Sequence, residues 1–178
     1  MKLCNENAVV FFPDGNEDLS RTTHLAISAH HDDIELMAMH GVLECFGKKD
    51  KWFTGVVVTD GAGSPRNGLY ADYTDEEMKA VRVVEQKKAA FVGEYAAQLM
   101  LGYTSAAVKD GKNDKVVEDL MRVIEETRPE IIYTHNPADK HDTHCAVVLR
   151  VIEAIRRLPK DRPRSFPSSA STRAPIAR

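Results

Sequence analysis

An α/β fold with a mostly parallel sheet covered on both faces is what this 178-residue sequence predicts, and two observations predict it. Short β-rich runs alternate with longer segments of helical period, and strands separated by helices form βαβ units. The runs are apolar along their length rather than alternating, as strands buried on both faces require. A chain this long buries roughly two-thirds of its unfolded surface, so one domain needs no disulfide or structural staple.

In chain order, the first strand is HLAIS at 24–28, and a helical pattern follows over 34–48. The second strand is WFTGVVVT at 52–59. The next helix, 75–94, opens on Thr74 with Glu77 three residues later, the pattern of a capping box. A third strand, AQLMLGY at 97–103, leads to a helix over 113–127 that must stop before Pro129. The fourth strand is EIIYT at 130–134. The last helix, 143–157, shows Val147, Val148, Val151, Ile152 and Ile155 at helical spacing, with Arg150, Arg156 and Arg157 elsewhere around it.

Residues 1–158 therefore read as a single domain. From 159 to 178 the composition changes: four prolines, four serines, four arginines and one lysine stand against one aspartate. This tail carries +4, which leaves −7 on the rest of a chain whose net charge is −3. With two large apolar residues, Phe166 and Ile176, it cannot offset its own ordering entropy and is expected to be a flexible tail.

Charge and composition exclude several classes. Lys and Arg number 24 against 27 Asp and Glu, so no global basic field exists for nucleic acid. No apolar run approaches a membrane span. The N-terminus, MKLCNENAVVFF, has no signal-peptide pattern. Cys4, Cys45 and Cys145 form no CxxC pair, which points to a reducing cytoplasm. Cys45 and Cys145 are expected to be buried thiols, and His24 and His40 structural. A homo-oligomer is compatible with all of this.

In open parallel sheets ligands bind beyond the carboxyl ends of the strands. Of the four segments there, two are dense in metal-ligand types: AHHDDIE at 29–35 and HNPADKHDTH at 135–144. Five of the seven histidines fall in them (His30, His31, His135, His141 and His144), beside Asp32, Asp33, Glu35, Asp139 and Asp142. A catalytic zinc needs three N or O ligands, an open position and a separate base. Adjacent Asp32 and Asp33 on a tight turn can divide ligand and base between them. His141 and His144, three apart at a helix start, share one face. The plainer reading makes Asp33 a helix cap, and the GAG at 61–63 a turn. Asn67, Tyr70, Asp72 and Tyr73 form a polar, aromatic loop that suits a sugar as well as a plain surface.

The segment AHHDDIELMAMHGVLE resembles the AHPDDxE signature of the PIG-L/LmbE-like zinc de-N-acetylases, and DKHDTHCAV resembles their second signature. TDGAGS and RVVEQKKAA are similar to weaker blocks, so the resemblance runs over about 24–157. It implies a Rossmann-like three-layer sandwich, with His30, Asp33 and His144 as Zn2+ ligands and Asp32 as general base. It further implies that His141 stabilises the oxyanion, that Arg82 contacts the substrate, and that the substrate is a small N-acetylated sugar of the N-acetylglucosamine type.

Three departures follow. His31 replaces the usual proline and adds a ligand or outer-shell group. Thr143 stands where many members have an aspartate, so Asp139 or Asp142 must orient His141. Members also continue beyond the last helix, whereas this chain enters its proline-rich tail, so the C-terminal part of the family fold is expected to be missing. The rival readings are a metal-binding but catalytically impaired truncated homologue, and another metal hydrolase such as a phosphoesterase.

Overall fold

The computed structural model describes residues 1–159, so the expected tail, apart from Pro159, lies outside the described residues. Five strands form one sheet: β1 (Val9–Phe11), β2 (His24–Ser28), β3 (Phe53–Thr59), β4 (Ala97–Tyr103) and β5 (Ile131–Thr134). Their order is β1-β4-β3-β2-β5, with β1 antiparallel to β4 and the other pairings parallel. The helices are α1 (Asp33–Met37), α2 (Met39–Cys45), α3 (Asp75–Val92), α4 (Ser105–Lys109), α5 (Asp114–Thr127) and α6 (Asp142–Arg157).

The strands point alternate side chains into two separate cores. Leu25 and Ile27 of β2 pack with Val56, Leu99, Val108, Leu120, Ile124, Val147 and Val151, so α4, α5 and α6 cover that face. Ala26 packs with Ile34, Val42, Phe53, Val57 and Ala90, which sets α1, α2 and α3 on the other. The three layers predicted from the sequence are therefore present.

The expected strands and long helices are matched to within a residue or two, with differences elsewhere. Strand β1 was not foreseen: three residues at a sheet edge carry too little pattern. The helix expected over 34–48 kinks at Ala38 (φ −122°, ψ 16°). The ladder runs on through the kink, since Ala38 N–H donates to the Ile34 carbonyl and Val42 N–H to that of Ala38. Apolar spacing alone cannot register such a bend. In α6, Val147, Val148 and Val151 are buried, whereas Ile152 and Ile155 face outward.

Chain order places the site. The path β2–β3–β4 steps along the sheet in one direction, and then α5 returns the chain to lay β5 on the far side of β2. The order reverses between β2 and β5, and beyond the carboxyl ends of two such strands lies the crevice where α/β sheets bind ligands.

Candidate metal centre

Both histidine-rich segments open into that crevice. After β2 the chain turns sharply at Asp32, an L-residue held at φ 82°, ψ −20° in the left-handed region. Asp33 is then the first residue of α1, and its carboxylate turns back to accept the His30 N–H at 2.7 Å. Asp33 thus does not cap the helix, contrary to the plainer expectation.

Three donor atoms converge. His30 Nδ1 lies 3.2 Å from Asp33 Oδ2 and 3.1 Å from His144 Nε2, and Asp33 Oδ2 lies 3.4 Å from His144 Nε2. Tetrahedral zinc with ligand bonds of about 2.0–2.1 Å holds its donors about 3.3 Å apart, so the triangle has the right size for one such ion. The proton positions agree as well. His144 Nδ1 meets Asp139 Oδ2 at 3.1 Å, and a carboxylate can only accept, so the proton sits on Nδ1 and the Nε2 lone pair faces the cluster. A carboxylate behind a ligating histidine is the usual outer support of a metal site.

His135, to which no role was assigned from sequence, stands within the same group. Its Nε2 is 3.4 Å from Asp33 Oδ2, and its ring stacks on His144 at 3.9 Å. That nitrogen accepts the Ala29 N–H at 2.8 Å, so its lone pair is already committed. The Asp33–His135–His144 and His30–His141–His144 groupings share His144 and so describe one site.

His141 flanks the cluster, half-exposed, its ring 4.5 Å from that of His144 and 4.8 Å from that of His30. Partial burial, and then repulsion from the neighbouring imidazoles, lower its pKa below the usual histidine value. The carboxylate expected to orient its ring does not do so. Asp139 serves His144 instead and accepts only the His141 backbone N–H, at 2.8 Å. Asp142 lies 3.7 Å from the ring and is paired with Lys109. Asp33 itself is pulled two ways: burial raises its pKa, but the neighbouring His135 and His30, the latter also through its backbone N–H, outweigh that and hold it far below the usual carboxylate range.

Asp32 projects toward solvent, and Arg82 of α3 grips it: one guanidinium nitrogen donates to Asp32 Oδ2 at 2.8 Å and to the His31 carbonyl at 2.6 Å. Its other terminal nitrogen pairs with Glu85 at 2.6 Å. Arg82, expected to contact substrate, is thus engaged with the turn that carries Asp32. His31 is not brought to the cluster. It is buried, both ring nitrogens lack a partner among the described residues, and burial holds its pKa down at about 4. Gly61 makes room for it, since a Cβ there would meet the His31 ring at 3.1 Å and Arg82 at 3.0 Å. Cys145 is only half-buried, its thiol directed to the Asp139 carbonyl at 3.2 Å, and His40 is exposed on α2.

Residues 25–155 match the family described as GlcNAc-PI de-N-acetylase, PIG-L. The chain belongs to that family. No curated protein matches it significantly. Among solved structures it is similar to the N,N'-diacetylchitobiose deacetylase from Pyrococcus horikoshii, at TM-score 0.64 and 18% identity, covering 81% of this chain and 54% of that one. The A40926 pseudoaglycone deacetylase Dbv21 is similar at TM-score 0.58 and 22% identity, over 76% and 60% of the two chains. So is GalB, the 4-carboxy-2-hydroxymuconate hydratase from Pseudomonas putida KT2440, at TM-score 0.57 and 18% identity, over 75% and 55%. At these identities the likeness concerns the fold, which carries a hydratase as well as deacetylases. The PIG-L chain spans between 54% and 66% of the length of the solved structures it resembles. Among its described residues no helix is long and apolar enough to cross a membrane.

Proposed function

We propose that this PIG-L family chain is a zinc-dependent hydrolase that removes the acetyl group from an N-acetylglucosamine-type sugar. The observation that carries the reading is the His30–Asp33–His144 triangle, whose edges of 3.1 to 3.4 Å suit one small divalent ion, with a second aspartate next in sequence to a ligand. Two imidazoles and a carboxylate favour zinc, which when bound supplies Lewis acidity at the acetyl carbonyl and lowers the pKa of its water toward about 7.

The chain's own residues do the rest. Asp32, fixed by Arg82, accepts the proton of the attacking water. His141, on the open side of the cluster, holds the oxygen that becomes negative as the carbonyl is attacked. The proton then passes to the leaving amine, from Asp32 or from His141, and acetate departs. A cavity of about 140 Å³ lies beside Asp32, lined by Ser64, Pro65, Tyr70, Met78 and Arg82.

A phosphoesterase would more naturally use two metals and several carboxylates. The triangle here has a single carboxylate, Asp33, beside two imidazoles. The test is metal analysis of the purified protein with an acetate-release screen over N-acetylated sugars. One zinc per chain and acetate release are expected. Zinc without acetate from any N-acetyl sugar would leave the protein a metal binder without turnover, and two metals would favour the phosphoesterase.

A further inference from the structure

Helix α3 reaches the turn after β2 with two side chains one helical turn apart. Arg82 takes the carboxylate of Asp32 and the carbonyl of His31. Gln86 takes the other end: its Oε1 accepts the Asp32 backbone N–H at 3.2 Å. Gln86 is 2% exposed and lies on the inward face of α3 with Met78 and Ala90, a position where the helical period calls for an apolar residue.

A buried amide is costly unless its hydrogen bonds are made, and here they are. Gln86 Nε2 donates to Glu35 Oε1 at 3.2 Å and to Gln98 Oε1 at 3.3 Å, and the Tyr95 hydroxyl donates to the same Glu35 oxygen at 2.9 Å. The sheet is shaped to admit this group. A Cβ on Gly55, in the middle of β3, would run into the Gln98 amide and the Ile34 side chain. Asp32, by contrast, is held in a left-handed region that a non-glycine residue enters only at a cost, and such residues persist only where their surroundings enforce them.

We infer that Gln86 is a positioning residue for Asp32. By taking the amide while Arg82 takes the carboxylate, it locks the left-handed turn and so fixes where Asp32 accepts a proton. The inference rests on Asp32 being the base of the proposed reaction.

The test compares Gln86→Leu with Gln98→Leu, which breaks the same buried network without touching Asp32. In the zinc-loaded protein, Gln86→Leu should lower kcat by between about ten- and a hundredfold with KM nearly unchanged. Its zinc content should be that of wild type. Gln98→Leu should lower the melting temperature but leave kcat within about twofold. In an Asp32→Asn background, Gln86→Leu should add almost nothing, since the two act through one group. An equal loss of kcat in Gln98→Leu, or an undiminished effect in the Asp32→Asn background, would overturn the inference. Hydrogen exchange at the Asp32 amide gives a readout that needs no turnover. Protection present in wild type and lost in Gln86→Leu supports the role even if no acetate is released, when only the proposed reaction has failed. Unchanged protection overturns it. Should Gln86→Leu not fold, Gln86→Asn keeps the amide's polarity while withdrawing its oxygen from Asp32, and the same outcomes apply.

Discussion

Asp32 and Asp33 are neighbours in sequence with opposite surroundings. Asp33 is buried among three imidazoles, and its contacts with His135 and His30 keep it ionised well into acid. Asp32 stands on a left-handed turn with its carboxylate largely in solvent and, among the described residues, one partner, Arg82. The same mild substitution should therefore give different phenotypes. Asp33→Asn removes a charged ligand, so zinc affinity falls first and excess zinc restores activity in part. Asp32→Asn should keep its zinc and lose about 10²–10⁴-fold in rate, with no rescue. Zinc titrations read out by acetate release separate the two, and rescue of Asp32→Asn would mean the roles are exchanged. Asp139 is a third case. Because it sets the proton of His144, Asp139→Asn should weaken zinc binding by about 10–100-fold, measurable by competition with a chelator.

At the start of β2, His24 is buried, its Nδ1 bonded to the Thr23 hydroxyl at 2.9 Å. Burial first, and then the nearby Lys51 charge, push its pKa below the usual histidine value. The unfolded chain then binds this proton more readily than the folded one. Stability from neutral His24 is complete above about pH 6.5 and is lost as pH falls below it. Urea unfolding at pH 7.5 and 5.0 should show a smaller acid loss in His24→Gln than in wild type, and an equal loss would remove His24 as its source.

That strand, like β3, β4 and β5, was legible from its apolar run, and α3, α5 and α6 from period and caps. Strand β1, three residues at the sheet edge, and α4, a helix little longer than one turn, carry too little pattern to be read, though Thr104 does cap α4. The meeting of the histidine- and aspartate-rich segments at the ends of β2 and β5 was legible too, because a parallel sheet brings those ends together. What each second partner does was not. Asp139 turns to His144 rather than His141 through the path of the 135–141 loop, and Gln86 meets Asp32 across 54 positions of sequence. No local pattern encodes either contact.

His30 and His144 are 114 positions apart, so an ion held between them ties the first βα turn to the last helix across the reversal point of the sheet. The unfolded chain offers no such pre-arranged triangle, and binding to the folded state alone stabilises it by about 2.7 kcal/mol at a hundredfold excess over Kd. For a domain of this size each kcal/mol shifts the melting temperature by about 2–4 °C, so saturating zinc should raise it by roughly 5–11 °C. The size of that shift in single variants decides which atoms hold the ion. His30→Ala, Asp33→Ala and His144→Ala should abolish most of it. His141→Ala should keep it while losing turnover, since its ring flanks the triangle without closing it. His135→Ala should melt lower than wild type with or without zinc, because the Ala29 N–H loses its acceptor, and yet keep the zinc-dependent rise. If His141→Ala or His135→Ala instead removes the rise, the ion sits in one of the other two groupings around His144.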